Sequence, residues 1–240
     1  MSQPVFVLQA ANSAMAQQVV LQNPHARFLL LSENPLELVC SNEHISCVGS
    51  ALDEDFLNRS VEQAVSAWGQ LDGYAHFSGS ILLKPLHMTR LDEWDGVFDK
   101  NVKTAFLGLK SILPIFKKQG FGSVVLISST AARIGLQNHE AIAAAKGALE
   151  ALARSCSATY APVRFNVIAP GLTRSRMSQK LVGNVQALKA SLQLQSIQRL
   201  AEPSDMASAI SFLLSEHSAM ITGQTIALDG GLSVTKRMSP

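Results

Sequence analysis

The chain has 240 residues, of which 47% are hydrophobic and 16% are charged, and its formal net charge is +2. This length and composition indicate an α/β domain with a substantial buried core, and the small charge argues neither for nor against nucleic-acid binding. No apolar stretch is long enough to span a membrane, no secretory signal is visible, no basic run stands out, and the three cysteines lack metal-ligand or redox spacing. We therefore expect a cytoplasmic protein without a metal, membrane or nucleic-acid partner.

Apolar runs and helical patterns alternate along the first part of the chain. Short apolar runs predict strands at residues 4–8, 27–32 and 44–48. A helix is expected from about residue 13 to 21, and a second one from about residue 53 to 68, where apolar residues recur at helical spacing. This order of elements is typical of an α/β fold.

The same alternation continues in the second part of the chain. Residues 91–118 place apolar side chains on one broad helical face, which predicts a long helix. Apolar runs at 124–127 and 163–169 predict buried strands. Residues 172–200 are rich in Leu, Gln and Lys and contain few helix-breaking residues, which predicts a mobile helical lid over a substrate. We see no internal repeat and no second domain.

Hydroxyl side chains follow the strand at 124–127, at the point where it should end. Ser128, Ser129 and Thr130 come directly after it, and an alanine-rich helix further along carries Lys146. In open α/β sheets, ligands bind at the carboxyl ends of the strands. The sequence therefore predicts a functional site that contains these hydroxyls and this lysine.

The arrangement resembles the active site of the short-chain dehydrogenase/reductase family. That family places a serine after this strand, then a tyrosine and a lysine in the pattern Tyr-x-x-x-Lys; Ser129 and Lys146 fall in register, but Ile142 stands at the tyrosine's position. Asn101, in the run FDKNVKTAFLG, matches the family's active-site asparagine. The resemblance covers essentially the whole chain and implies a Rossmann-like, doubly wound parallel sheet of about seven strands, assembled as a homodimer or homotetramer.

Further matches lie along the expected cofactor cleft. The segment GQLDGYAHFSGS resembles the family's G-x-L-D and N-N-A-G motifs, and Gly79 matches the glycine of the second motif. His76 replaces an asparagine of that motif, and we expect it to be a hydrogen-bonded core residue. The run RFNVIAPG matches a strand that ends in Pro170 and Gly171. Ser175 falls where a family hydroxyl contacts the nicotinamide carboxamide.

The turn that should hold the dinucleotide's pyrophosphate has lost its glycines. The family pattern T-G-x-x-x-G-x-G falls on Gln9, Ala10, Ala14 and Ala16. Each alanine adds a methyl group where the phosphate or the strand approaches, and a turn residue with positive φ is strained as alanine. We therefore expect weak or absent dinucleotide binding. The candidate contacts are Ala10, Asn12, Ala14, Met15 and Ala16, although Asn12 and the neighbouring Ser13 are better explained as helix caps.

An acidic residue lies close to where a cofactor's ribose would meet the second strand. Glu33 follows that strand, and no arginine or lysine stands there to hold a 2′-phosphate. Of the two cofactors that the resemblance implies, NAD is therefore weakly favoured over NADP. The alternative is that Glu33 is only a solvated turn residue.

Ile142 removes the group that the family uses as a general acid. In the family, the tyrosine hydroxyl gives a proton to the carbonyl oxygen while the nicotinamide gives a hydride, and the lysine lowers the pKa of the phenol and holds the ribose. Ile142 shares the helix face of Lys146 but has no proton to donate. We therefore expect ordinary carbonyl reduction to be very weak or absent.

Three functions remain open at this point. The first is a non-catalytic partner or regulator that keeps the fold. The second is an oxidoreductase with a replacement acid: His139, if the helix begins early enough to place it on the face of Lys146, or less favourably Glu140. The plainer interpretation of His139 is a surface residue at a helix start. The third is a pocket of Lys146, Asn101 and Ser129 that binds an unknown small molecule without redox chemistry.

Overall fold

The computed structural model describes residues 3–36 and 42–236. Seven parallel strands form one sheet in the order β3-β2-β1-β4-β5-β6-β7, and the order reverses between β1 and β4. The strands are β1 (Val5–Gln9), β2 (Arg27–Ser32), β3 (His44–Val48), β4 (Gly73–His76), β5 (Ser123–Ile127), β6 (Arg164–Pro170) and β7 (Thr225–Leu228). This confirms the predicted Rossmann-like sheet of seven strands.

Eight α-helices lie between the strands, two of them in the segment predicted as a lid. They are α1 (Ala14–Gln22), α2 (Glu54–Trp68), α3 (Leu91–Phe98), α4 (Thr104–Gln119), α5 (Glu140–Thr159), α6 (Gln179–Val182), α7 (Val185–Gln193) and α8 (Pro203–Leu214), in the described part of the chain. Within residues 3–36 and 42–236, every helix is too short or too polar to cross a bilayer. In the same residues, no cluster of histidine, cysteine and acidic side chains is suited to hold a metal ion.

Side chains that alternate along the strands build two cores, one on each face of the sheet. Val7 and Leu29 point to the face covered by α2, α4 and α5. Leu8 and Leu30 point to the other face, which α1 and α8 cover. Because successive residues of a strand face opposite sides, strands buried on both faces are apolar throughout, which explains the uninterrupted apolar runs of the sequence.

The long helix predicted at 91–118 is divided in the structure. Between α3 and α4, residues Asp99–Lys103 form a π-helical turn, and Asn101 lies within it. The wider turn is a feature that helices often show at functional sites. The predicted helical stretch is therefore confirmed, and the turn that contains the candidate asparagine is π-helical rather than α-helical.

The predicted lid at 172–200 contains two short helices, α6 and α7. Its two ends meet where Thr173 and Ala201 form an isolated parallel bridge. The predicted closure of this segment over a substrate stays a prediction.

A buried hydrogen-bond network ties β1 and β4 to the start of α4. The Tyr74 hydroxyl donates to Gln9 Oε1 at 2.6 Å, and Gln9 Nε2 donates to the carbonyl of Thr104 at 3.0 Å. The Thr104 hydroxyl donates to the Lys100 carbonyl at 2.9 Å and lies 2.9 Å from His76 Nε2. Since this hydroxyl gives its only proton to Lys100, it accepts a hydrogen bond from His76. The network fixes the π-helical turn against the sheet.

Gly108 leaves the space that this network needs. A Cβ atom at Gly108 would collide with Tyr74 Oη and Gln9 Oε1. We expect Gly108→Ala to lower the free energy of unfolding by about 2–4 kcal/mol, because it overpacks the core and breaks a buried hydrogen bond. Urea denaturation followed by circular dichroism measures this change.

The matched control is Gly96→Ala in α3, where a Cβ atom would meet no atom within 4 Å. This substitution should raise the free energy of unfolding by up to about 1 kcal/mol through helix propensity. Equal effects of the two substitutions would contradict the role assigned to Gly108.

Candidate active site

Lys146 lies in α5 with its side chain directed to the end of β5. Its Nζ atom donates to the Ile127 carbonyl at 2.8 Å, and the residue is only 8% exposed. None of the ion pairs among the described residues includes it. Burial disfavours the ammonium form and lowers the pKa of Lys146 from 10.5 to about 8.

Asn101 is buried, and only half of its amide is satisfied. Its Nδ2 donates to the Val97 carbonyl at 2.9 Å and to the Ser80 carbonyl at 3.3 Å. Its Oδ1 has no hydrogen-bond partner among the described residues. Buried acceptors are rarely left unpaired in proteins, so this oxygen marks a place where a ligand or water can donate.

Gly79 brings Asn101 and Lys146 together. A Cβ atom at Gly79 would lie 2.8 Å from Asn101 Oδ1 and 3.3 Å from Lys146 Nζ. The backbone of Gly79 therefore passes directly beside both polar groups, and any larger residue would displace them. The three residues that the resemblance placed at the site are neighbours in the structure.

Ile142 packs into an apolar cluster, so no polar group replaces the tyrosine at this position. It is 4% exposed and belongs to a cluster with Val97, Ala141 and Ala145. Leu82, Trp94, Phe98 and Val102 pack against this cluster. Ile142 precedes Lys146 by one helical turn on the same face of α5. Its alkyl side chain supplies bulk but no proton.

The three hydroxyls after β5 have different partners. Ser128 donates to Glu150 Oε1 at 2.8 Å, and Thr130 donates to Asp229 Oδ2 at 3.2 Å, so both are engaged inside the protein. Ser129 accepts from the amide of Ala131 at 3.2 Å, and its own proton is left to donate. Of the three, Ser129 is the one that can orient a substrate oxygen.

His139 lies outside the helix that was expected to carry it. Helix α5 begins at Glu140, and His139 is the residue before its first turn. Its Nδ1 lies 2.7 Å from the carbonyl of Gln137. The condition of an early helix start is therefore not met, and the role of replacement acid stays a prediction.

The turn between β1 and α1 keeps its shape without glycine. Ala10 has a φ of 60°, in the left-handed region that disfavours a Cβ atom. The Ser13 hydroxyl accepts from the amide of Ala16 at 3.1 Å, which confirms Ser13 as the helix cap. Ala16 is buried against the strands, whereas Ala14 is exposed at the start of α1.

The two ends of a dinucleotide would meet different conditions in this cleft. The amides of Ala14 and Met15 open α1 and lack acceptors within the helix, so they can donate to a phosphate, whereas Asn12 is exposed beside them. Ala10 in the turn and Ala14 at the first helical position each carry a Cβ atom, where glycine would leave more space for a phosphate. The residues thus fit the nicotinamide-ribose end, where Lys146 and Gly79 lie, better than the pyrophosphate end.

The remaining candidate contacts lie along the same edge of the sheet. Glu33 is exposed just past β2, free to meet a ribose. The Gly171 amide donates to the Leu228 carbonyl at 3.0 Å, and a Cβ atom at Gly171 would lie 2.8 Å from Asp229 Cα. Pro170 is buried at the end of β6. The hydroxyl of Ser175 accepts from the Ser178 amide at 3.1 Å, so it helps to form a turn at the start of the predicted lid.

His76 is a core residue, as predicted, but its surroundings were not foreseen. Burial and the positive charge of Lys146 lower its pKa to about 3, so the ring is neutral. Its Nδ1 and the Ser78 hydroxyl are buried without a hydrogen-bond partner among the described residues. The one sign of this buried network in the sequence is Gln9, a polar residue at the end of an apolar strand.

The chain is similar in sequence to known dehydrogenases and reductases. The family profile described as Enoyl-(Acyl carrier protein) reductase matches residues 35–233. The cyclopentanol dehydrogenase of Comamonas sp. (strain NCIMB 9872) is 29% identical over 181 residues, which make up 75% of this chain and 72% of that protein.

The fold is shared with solved structures of lower identity. A short-chain type dehydrogenase/reductase from Mycobacterium ulcerans has a TM-score of 0.92 at 24% identity, covering 98% of this chain and 92% of that chain. The structure of ElxO with NADP bound has a TM-score of 0.89 at 21% identity, covering 96% of this chain and 98% of that chain. At these identities the likeness shows the fold alone.

The left-handed conformation of Ala10 gives a testable effect on stability. We expect Ala10→Gly to raise the free energy of unfolding by up to about 1 kcal/mol, because relief of backbone strain exceeds the entropy that glycine adds to the unfolded chain. Ala14→Gly is the matched control at a helical position, and it should lower the free energy of unfolding by about 0.5 kcal/mol. Guanidinium unfolding of the wild type and the two variants measures the sign of each change in the free energy of unfolding. A lower free energy of unfolding in Ala10→Gly would contradict the backbone strain at Ala10.

The buried amine of Lys146 predicts a pH dependence of stability. Its pKa is about 8 in the folded protein and 10.5 in the unfolded chain, so between these values the folded state binds fewer protons. The free energy of unfolding therefore rises with pH across this window, by at most about 3 kcal/mol, and the penalty of the buried charge is complete below it.

The measurement is urea unfolding from about pH 7 to pH 10 of the wild type and of Lys146→Met, whose difference isolates this group. The rise should disappear in Lys146→Met and persist in Lys110→Met, since Lys110 is exposed and paired with Glu54. Identical pH profiles of wild type and Lys146→Met would show that the amine is not desolvated.

Proposed function

The chain belongs to the short-chain dehydrogenase/reductase family of oxidoreductases. We propose that it retains the frame of this family's active site but does not catalyse ordinary carbonyl reduction. The frame is the group of Asn101, Ser129, Lys146 and Gly79 at the carboxyl end of the sheet. The proposal makes this chain a non-catalytic or regulatory member of the family.

This proposal rests on the side chain of Ile142. Reduction of a carbonyl places negative charge on its oxygen, and a general acid that neutralises this charge contributes about 10²- to 10⁴-fold to the rate. Ile142 lies one helical turn before Lys146, where the family's phenol would lie, and it is buried in an apolar cluster. Lys146 therefore has no phenol whose pKa it can lower, and the carbonyl oxygen has no donor from this helix face.

The cofactor turn supports the same proposal. A dinucleotide that binds here brings hydride chemistry, and its nicotinamide ribose would be held by Lys146. The methyl groups of Ala10 and Ala14 reduce the affinity at the pyrophosphate end, where the backbone should approach the ligand closely. Glu33, with no basic neighbour past β2, favours NAD over NADP.

A second candidate function is the binding of a small molecule without redox chemistry. The observation that favours it is the buried Oδ1 of Asn101, which has no partner among the described residues and lies beside the Lys146 amine. An unpaired buried acceptor costs about 1–3 kcal/mol, which a ligand's donor group would recover. Ser129 adds a free hydroxyl at the same edge.

The test begins with calorimetric titration of the purified protein with NADH and NADPH. We then expect little or no NADH oxidation with cyclopentanone, the ketone that corresponds to the alcohol in the name of the Comamonas relative. Normal turnover of the wild type would overturn the proposal. The absence of binding by either cofactor up to millimolar concentration would leave the non-redox functions.

Substitutions at Ile142 separate the missing acid from the altered cofactor turn. Ile142→Tyr in an Ala10→Gly background should raise the ketone reduction rate by at least about 10²-fold, because it restores a hydroxyl near the amine of Lys146. Ile142→Phe is the matched control, since it has the same ring without the proton. Equal rates in the two variants would show that the phenol is not what the site lacks.

A further inference from the structure

The amine of Lys146 has one hydrogen bond in a place that largely excludes water. Nζ donates to the Ile127 carbonyl, and no acidic side chain of the described residues pairs with it. An ammonium has three protons to satisfy, so at least two have no acceptor within the described protein. A neutral amine keeps the bond to Ile127 with one proton and has a free lone pair, so burial favours it.

The titratable side chains nearest to this amine do not oppose its neutral form. His76 is itself neutral, and the charge of Lys146 lowers its pKa still further. Glu150, one turn further along α5, accepts from Ser128 and pairs with Arg133. No carboxylate among the described residues therefore holds the proton on Lys146. With its pKa lowered to about 8, about a tenth of the amine is neutral at pH 7.

Two buried oxygen atoms without partners among the described residues lie on or beside the loop that passes the amine. Asn101 Oδ1 and Lys146 Nζ both lie beside Gly79, and the Ser78 hydroxyl on the same loop is also buried and unpaired within the described chain. Ser129 has a hydroxyl proton to give. Such groups can hydrogen-bond a hydroxyl that forms next to Nζ, which an apolar pocket could not do.

We propose that Lys146 is a nucleophile that captures small aldehydes and ketones reversibly as a Schiff base. The lone pair of Nζ forms a bond to the carbonyl carbon, and the carbonyl π electrons pass to oxygen, which takes a proton from the nitrogen. The resulting hydroxyl, held by Asn101 and Ser129, leaves as water with the second amine proton, and a C=N bond remains. The reaction releases one molecule of water and needs no oxidant.

The loss of the tyrosine makes this chemistry available. Ile142, one helical turn before Lys146, presents only alkyl groups, so it supplies no phenolate that competes for the proton or lone pair of the amine. Desolvation in an apolar setting is a general way in which lysines become nucleophiles. The capture needs no dinucleotide, so it stands or falls separately from the proposal on carbonyl reduction.

The experiment traps the imine in the intact protein. Wild-type protein at pH 7 is incubated with butanal and sodium cyanoborohydride, which reduces an imine to a stable secondary amine, and each lysine is quantified by peptide mass spectrometry. The neutral fraction of Lys146 exceeds that of an ordinary lysine by about 10²-fold. Allowing for slower access, we expect at least about ten times more early labelling at Lys146 than at the exposed Lys110.

Equal or lower labelling of Lys146 in the folded wild type would overturn the proposal. Ile142→Glu supplies a second test, because a carboxylate next to the amine holds the proton and should suppress labelling at Lys146 by about tenfold or more. Ile142→Gln is its uncharged control and should retain the labelling. Suppression by both variants to the same extent would show an effect of shape rather than charge and would also count against the proposal.

Discussion

The hydroxyl of Thr104 is the point on which the site depends. It receives a hydrogen bond from His76 on β4 and donates to Lys100, while the carbonyl of the same residue accepts from Gln9 on β1. Two central strands and the π-helical turn therefore share one residue. Because Asn101 lies in that turn, the direction of its amide is set by the middle of the sheet rather than by a surface loop. The sheet thus holds the frame of the proposed site in place.

The residue one helical turn before Lys146 determines the chemical surroundings of this lysine. Beside a tyrosine, a lysine is an auxiliary charge whose use is to lower a neighbour's pKa. In this chain the neighbour is Ile142, and Lys146 is left with a backbone carbonyl as its one hydrogen-bond partner among the described residues. Burial therefore acts on the amine itself. In the reaction that we propose, the reactive atom of the site is this nitrogen.

The sequence predicted the sheet because strands buried on both faces are apolar throughout, as at Val124 and Leu126. It predicted the meeting of Asn101 and Lys146 only through the family resemblance. Local patterns could not show that Gln9 meets Tyr74 and Thr104, which lie 65 and 95 residues away along the chain. The π-helical turn keeps nearly the same periodicity as an α-helix, so it was read as part of one. The different roles of Ser128 and Ser129 depend on Glu150, which lies 22 residues beyond Ser128 and so outside any local pattern.

The left-handed Ala10 also bears on how such a chain can change over evolutionary time. The turn keeps the backbone shape that glycine would prefer, and the adjoining Ala11 amide remains hydrogen-bonded to the Leu31 carbonyl of β2 at 2.9 Å. The packing of β1, β2 and α1 therefore imposes this conformation, whatever residue occupies the position. An alanine codon becomes a glycine codon by one base change. The left-handed conformation that glycine favours is thus already present in the turn, and glycine at this position is one base change away.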